Sequence, residues 1–343
     1  MPHRVALYGV PFAFREKAVF PLSKRLPFAV ARQFALDAGC RTLETAEGPL
    51  ALPEPHETSP HALLLLTSGS TGRPKTALFT YEALLASARA MVAALALDSH
   101  ARYHIPLPLT HVGGIGALLR CTLAGATPFT PLESSTHASL VPTQLYRLSE
   151  PPPTLRCALI GGAPLNFAKP NWPLRLSYGL TEMASTCFLD GQALPHIEWR
   201  LEPDGELLVR GESLFSGYLD GLPLRDGYFA TGDLFHNGEC IGRKDNLFIS
   251  GGENIQPEEI ERLLCQWVRE AVIVPQPDPE WGARPVAFVA ADLWEPDLWR
   301  ARLAERLPRY KLPIAFYPLP PHDGKILRKS LINKELCAKV DNS

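Results

Sequence analysis

"LLLLTSGSTGRPKTALFT" (63–80), followed by "YEALLASARAMVAALAL" (81–97), places an apolar run, a loop of small hydroxylated residues and an Ala/Leu-rich stretch in succession. "ALLLL" (62–66) is short, apolar and bounded by small polar residues, as a buried strand is, while 81–97 has the composition and length of a helix. The expected order is strand, glycine-rich loop, helix. The same alternation recurs downstream: "RYHIPLP" (102–108) reads as a strand, "GGIGALLRCTLAGA" (113–126) as a helix, and "RCALIGGAPL" (156–165) as a strand ending in a Gly-Gly turn. An α/β core follows.

Working outward, the first 60 residues alternate apolar pieces with Pro and Gly, and "PLALPEPHETSPH" (49–61) reads as a surface connector. From 198 to 250 short apolar runs are separated by Gly-Asp, Gly-Tyr and Asn-Gly, which predicts antiparallel strands and hairpins. The last hundred residues then read as helix (257–267), strand ("AVIVP"), strand ("PVAFVAA"), helix (294–306) and strand ("IAFYPLP"), a second and smaller α/β unit. Pro257 followed by Glu258 and Glu259 marks a helix start.

Composition narrows the function classes. The 343 residues are long enough for two domains, and 46% hydrophobic with 20% charged residues describes an ordinary globular chain. A formal net charge of -2 provides no basic field for nucleic acid. The seven cysteines form no C-x-x-C pair and no regular spacing, which predicts neither a disulfide framework nor a zinc site and suggests a reducing, cytoplasmic compartment. "MPHRVALYGVPFAFREK" is broken by Pro11 and stopped at Arg15 without a cleavage pattern, and no apolar run reaches 18 residues, so neither a signal peptide nor a membrane span is expected.

The loop at 67–75 is not a Walker A motif, because Pro74 stands before Lys75 where that motif requires Gly. Its chemistry still suits phosphate: Ser68, Ser70 and Thr71 supply hydroxyls, Gly69 and Gly72 let backbone N–H groups approach, and Lys75 adds charge. Alone, it reads equally as a flexible turn. In "YGLTE" (178–182) an aromatic can stack on a base, a hydroxyl can bond a phosphoryl oxygen and a carboxylate can hold Mg²⁺; a plain strand-to-loop turn has the same residues. Asp233 suits a ribose diol or an Asx-turn, and Arg243 a ribose or phosphate oxygen or solvent. If a helix begins near Gly113, Arg120 falls two turns on, on the same face, and presents a guanidinium to a carboxylate. His111 either faces a reacting carboxyl or is simply packed.

Taken in order, "TSGSTGRPK" (67–75), "YGLTE" (178–182), "GYFATGDL" (227–234), "GRKDNLFISGGENIQPEEIE" (242–261) and "DGKILR" (323–328) resemble the acyl-adenylate-forming superfamily of acyl-CoA synthetases and luciferases. The resemblance implies a large N-terminal α/β adenylating domain (1–244) with a β-rich subdomain. It also implies a small mobile α+β C-terminal domain (245–343) that turns at a hinge near Asp245. The cofactors implied are ATP, Mg²⁺ and coenzyme A as co-substrate, and the partners are small molecules, with no oligomeric state specified and a dimer compatible.

By the same resemblance Thr67, Ser68, Gly69, Ser70, Thr71, Gly72 and Lys75 grip the phosphates, and Gly161 and Gly162 of "GGAP" lie on the adenine side. Tyr178 and Gly179 pack on adenine, Thr181 contacts the α-phosphate, and Glu182 holds the metal. Asp233 takes the ribose, Arg243 a ribose or phosphate oxygen, and "SGGEN" (250–254) lies near the thiol entry path. Lys325 carries the most catalytic weight, bridging the attacking carboxylate and the α-phosphate, although a C-terminal lysine is ordinarily a surface residue.

Within the superfamily, "YGLTEMAST", "NLFISGGENIQPEEIE" and "LTHVGG" are most similar to the o-succinylbenzoate ligases of the menaquinone pathway. That acid carries a second carboxylate, which Arg120 would hold beside Gly113, Ser185 and Thr186. A ligase for another aryl or alkyl acid, and a nucleotide-binding protein without catalysis, stay open. The chain has 66 residues ahead of the phosphate loop, fewer than the family usually carries there, which implies a reduced scaffold or a shortened form.

Overall fold

Arg4–Tyr8 (β1) and Ala18–Leu22 (β2) bury almost every side chain, as parallel strands covered on both faces do. Their alternation separates two clusters: Ala6, Phe20 and Leu22 pack with Ala31 and Ala35 of the helix Phe28–Asp37 (α1), while Val5, Leu7 and Val19 form another cluster. The computed structural model describes residues 3–11, 18–53, 60–67, 74–163, 165, 171–321 and 328–332. These fall into two compact units, one within 1–163, 172–200 and 208–231, the other within 164–171, 201–207 and 232–343.

The first unit holds two sheets. Thr42–Thr45 (β3), Gly48–Ala51 (β4), Leu63–Thr67 (β5) and Lys75–Phe79 (β6) join β1 and β2 in the first, where β1 pairs parallel with β2 and β3, and β2 with β5. Two expectations are corrected here. The connector at 49–61 begins as a strand, since β4 pairs antiparallel with β3 and Leu52 is buried. The strand, loop, helix order is interrupted, because β6 returns antiparallel on β5 with Thr67 opposite Lys75. "KTALF" is a short apolar run beside a proline, too brief to display a period of its own. The helix Tyr81–Ala94 (α2) follows, its first turn capped by the Thr80 hydroxyl accepting from the Ala83 N–H at 3.2 Å.

Tyr103–His104 (β7), His137–Leu140 (β8), Cys157–Ile160 (β9) and Leu174–Leu180 (β10) run parallel in the second sheet, and Ser185–Leu189 (β11) and Gln192–Ala193 (β12) continue it antiparallel. Only two residues of "RYHIPLP" are strand. The helix Val112–Ala124 (α3) connects β7 toward β8, packs on α2 and ends at Gly125, whose φ of +68° satisfies a left-handed cap. A short helix, Pro142–Tyr146 (α4), follows β8.

The region read as hairpins contains Ile197–Leu201 (β13), Glu206–Gly211 (β14), Gly217–Tyr218 (β15), Leu224–Arg225 (β16), Tyr228–His236 (β17) and Glu239–Arg243 (β18). β15 instead joins the first sheet beside β6. In the second unit, Phe248–Ser250 (β19) and Glu253–Ile255 (β20) form a hairpin before the helix Pro257–Leu264 (α5), which starts with Pro257 at its first position as expected.

Glu270–Asp278 (β21) and Gly282–Ala290 (β22) pair antiparallel over nine residues, and Phe316–Pro318 (β23) lies parallel to β22. Ile273, Ala287 and Val289 pack with Trp299 and Leu303 of the helix Pro296–Ala304 (α6), while Val272, Val274, Val286 and Phe288 meet Leu331 of the helix Arg328–Leu331 (α7). Among the described residues, no helix is long and apolar enough to cross a membrane.

α7 is fixed by charge as well as by Leu331. Arg328 forks onto Glu261 and reaches Glu258 Oε1 at 3.0 Å and the Ile273 carbonyl at 2.8 Å. Burial pushes the Glu261 carboxyl above its ordinary range, and the guanidinium opposes that shift. Arg328→Ala is therefore expected to cost about 3–5 kcal/mol, because it strands a buried carboxylate. Faster exchange at the Ile273 amide, which donates to Glu261 Oε1 at 2.6 Å, would report it.

Candidate functional site

The residues of "YGLTE" lie where β10 ends and a single 3-10 turn, Thr181–Met183, begins. Gly179 is required there: a Cβ would run into the Ser185 carbonyl of β11, at a bulge between Tyr178 and Gly179. Just beyond the turn, Ala184 and Ser185 take φ of +53° and +127°, uncommon for residues with side chains. Gly179→Ala is expected to cost about 1–3 kcal/mol through overpacking, seen as a lower thermal midpoint. The Gly-Gly turn is equally constrained, since a Cβ on Gly161 would strike the Ser177 hydroxyl and Gly162 has φ +84°.

Tyr178 sits edge-on to Phe188, with centroids 6.0 Å apart. Glu182 is held by a residue that sequence reading missed: Tyr218 of β15 donates its hydroxyl to Glu182 Oε1 at 2.6 Å. The Lys75 ammonium lies 4.8 Å from the center of the same ring. One tyrosine thus gathers Lys75, at the far end of the stretch 67–75, and the carboxylate of "YGLTE". Thr67, at the loop's near end, points its hydroxyl toward the Lys75 carbonyl at 3.4 Å. Ser68, Gly69, Ser70, Thr71 and Gly72 lie outside the described residues, as does Lys325.

A second cluster surrounds Arg120. Nε donates to the Gly116 carbonyl at 3.1 Å, folding the side chain back along α3, and Nη1 donates to the Tyr103 hydroxyl at 3.3 Å. Arg120 is 2% exposed, and no described carboxylate pairs with it. A Cβ on Gly116 would lie 3.0 Å from Ser185 Oγ and 3.5 Å from Arg120 Nη2, so Gly116, rather than Gly113, is the glycine facing this arginine. Gly113 faces Leu107. Ser185 and Thr186 are both buried on β11. His111 is the N-terminal cap residue of α3 and makes no capping bond. Partial desolvation, with a smaller push from Arg25, lowers its pKa and favors the neutral imidazole.

In the second unit, Asp233 and Arg243 are cross-strand partners in the β17–β18 hairpin. Arg243 Nη1 donates to Asp233 at 2.9 Å and Nε to Asp245 at 3.1 Å. Burial opposes the charge on Arg243, but the two carboxylates carry its pKa above the usual value. Asp233, Arg243 and the expected hinge residue Asp245 therefore form one ion-pair set. Asp245 lies in the turn Lys244–Asn246, and Asn246 Nδ2 donates to Glu258 Oε1 at 2.5 Å. Among the described residues, no group of three or more His, Cys, Asp or Glu is placed to hold a metal.

Known proteins resemble this chain in sequence and fold. A 2-succinylbenzoate–CoA ligase of Escherichia coli is 38% identical over 302 residues, covering 75% of this chain and 64% of that protein, just under two thirds of its length. A 2-succinylbenzoate–CoA ligase of Haemophilus influenzae is 39% identical over 318 residues, covering 79% of this chain and 70% of that one. A structure of E. coli MenE with bound OSB-AMS superposes with a TM-score of 0.80 at 31% identity, covering 96% and 87% of the two chains. The model of the family described as AMP-binding enzyme matches residues 16–219, which contain the glycine-rich stretch 67–75, the Arg120 cluster and the Glu182–Tyr218 pair, and the chain belongs to that family.

Proposed function

We propose that the chain is an ATP-dependent acid–CoA ligase, forming an acyl-adenylate and then a thioester, with o-succinylbenzoate as the acid. The observation that carries the choice of acid is Arg120, a buried cation with no described carboxylate beside it. Burying such a charge is costly unless an anion completes it, and the second carboxylate of a dicarboxylic acid would do so. The relatives in E. coli and H. influenzae, both 2-succinylbenzoate–CoA ligases, support the same reading.

In the first step a carboxylate oxygen attacks the α-phosphorus of ATP, forming a C–O–P linkage as the bond to pyrophosphate breaks. Residues 67–72 and Lys75 hold the phosphates, Thr181 the α-phosphate, and Gly161, Gly162, Tyr178 and Gly179 the adenine. Asp233 and Arg243 hold the ribose. Glu182, fixed by Tyr218, would share Mg²⁺ with the polyphosphate, and the metal would neutralize charge there. His111, held neutral, faces the reacting carboxyl. Lys325 bridges the two reacting anions.

In the second step residues 245–343 turn about Asp245 relative to 1–244. The CoA thiol then attacks the acyl carbonyl and AMP leaves. The ion pairs from Arg243 to Asp233 and Asp245 are suited to a hinge, because they can exchange partners as the backbone turns. Incubation with o-succinylbenzoate, ATP, Mg²⁺ and CoA should release AMP and form a thioester. AMP no higher than without the acid would overturn the reading, and a panel of other aryl and alkyl acids would then identify the substrate.

A further inference from the structure

Arg120 is oriented from outside its own helix. β7 and β8 pair in parallel with Tyr103 opposite His137, so the Tyr103 ring reaches along the sheet to Ser139, two residues on and on the same face. Its hydroxyl lies 3.0 Å from Ser139 Oγ and accepts from Arg120 Nη1 at 3.3 Å. A hydroxyl oxygen has two acceptor sites and one proton, so it can take the guanidinium N–H while hydrogen-bonding Ser139, where either hydroxyl can be the donor. Arginine, tyrosine and serine thus form one hydrogen-bonded chain.

The ring itself has little freedom. Tyr103 is completely buried, stacks on His137 with centroids 5.9 Å apart and planes 19° apart, and carries the guanidinium carbon 5.9 Å from its center. Its backbone N–H donates to the Thr127 carbonyl at 2.8 Å, and its carbonyl accepts from the Thr130 N–H at 3.0 Å. The nearby titratable groups remain neutral: burial pushes Cys121 up to about 12 and Cys157 up to about 11, and it raises Tyr103 as well. None of them supplies a counter-charge, so the hydroxyl orients the guanidinium without quenching it.

We infer that Tyr103 is a positioning residue for acid specificity, holding the Arg120 fork in the direction from which the second carboxylate of the substrate is received. This rests on the proposed ligase reading and extends it to a residue that touches Arg120 rather than the acid. A neutral partner is suited to the task, because an aspartate there would fix Arg120 equally well and remove its charge from the pocket.

Tyr103→Phe keeps the ring and deletes only the hydroxyl. It should raise KM for o-succinylbenzoate about tenfold, the size of one hydrogen bond to a charged group, with KM for ATP unchanged. The deciding measurement is a double-mutant cycle on kcat/KM with Arg120→Ala. If Tyr103 acts through Arg120, the phenylalanine change costs nothing further in the alanine background. Equal losses in both backgrounds, or a lowered melting temperature with unchanged KM, would overturn the inference. Should Tyr103→Phe not fold, Ser139→Ala cuts the chain at its other end. A smaller KM rise that vanishes in the Arg120→Ala background supports the inference, and one that persists opposes it. Wild-type protein releasing no AMP with o-succinylbenzoate would instead refute the ligase reading.

Discussion

Lys325→Ala is expected to abolish acyl-adenylate formation while sparing thioester formation from pre-made adenylate. The first step brings a carboxylate against a polyphosphate and builds charge on the equatorial oxygens of the α-phosphorus. An ammonium bridging both anions is worth more in the transition state than in the ground state, so its removal lowers kcat rather than only raising KM. A loss of at least about 10²–10³-fold is expected, as for removal of a single electrostatic contact to a developing oxyanion. In the second step a thiol attacks a carbonyl whose leaving group, AMP, is already activated, and that step has no such meeting of anions. Pyrophosphate release measures the first step, and thioester formation from synthetic adenylate the second; equal losses in both would remove Lys325 from this role. Arg328, three residues later, is anchored to Glu258, Glu261 and the Ile273 carbonyl.

Which parts of this arrangement could be read in the sequence follows from the range of each interaction. The Asp233–Arg243 pair was within reach of reading, although the two residues were considered separately. Asn237 and Gly238 take φ of +49° and +80°, the paired positive values of a tight hairpin turn, and "NG" between apolar runs announces such a turn. Folding the chain there brings residue 233 opposite 243. Parallel strands give no comparable cue, because register is set by packing across a distant crossover. Tyr103 and Ser139, on neighboring parallel strands with α3 between them in the chain, could not be paired from sequence. A serine in the buried run "HASL" was the only visible mark.

Tyr218 was missed for another reason. β15 is two residues long and its pattern carries no period, yet it places a phenol between Lys75 and Glu182, residues more than a hundred positions apart. The glycines fared differently. Their positions in "YGLTE" and "GGAP" are visible as motif members, but the cause is steric: β11 passes behind Gly179 and the Ser177 hydroxyl behind Gly161. For Arg120, helical periodicity points to Gly113, seven residues before it, whereas the glycine beside the guanidinium is Gly116. Gly113 and Gly116 lie on nearby faces, and only the position of β11 decides between them.

Arg120→Ala should raise KM for o-succinylbenzoate about a hundredfold or more while leaving KM for ATP unchanged. Truncating one member of a buried, hydrogen-bonded charge pair costs about 2–5 kcal/mol, and ~2.7 kcal/mol corresponds to a factor of a hundred. Stability supplies the control. In the free protein the guanidinium is buried beside neutral groups, so deleting it removes an uncompensated charge rather than breaking an ion pair. The melting temperature should therefore hold or rise, and the stabilization conferred by saturating acid should shrink as affinity falls. A structural arginine would give the opposite pair of results, a lower melting temperature with KM unchanged. Arg120→Lys separates charge from shape: it restores a cation but not the planar fork that bonds Gly116, Tyr103 and an incoming carboxylate together, so partial recovery of KM is expected. An unchanged KM in the alanine variant would remove Arg120 from the acid pocket, and the choice of a dicarboxylic substrate would lose its physical basis in this chain.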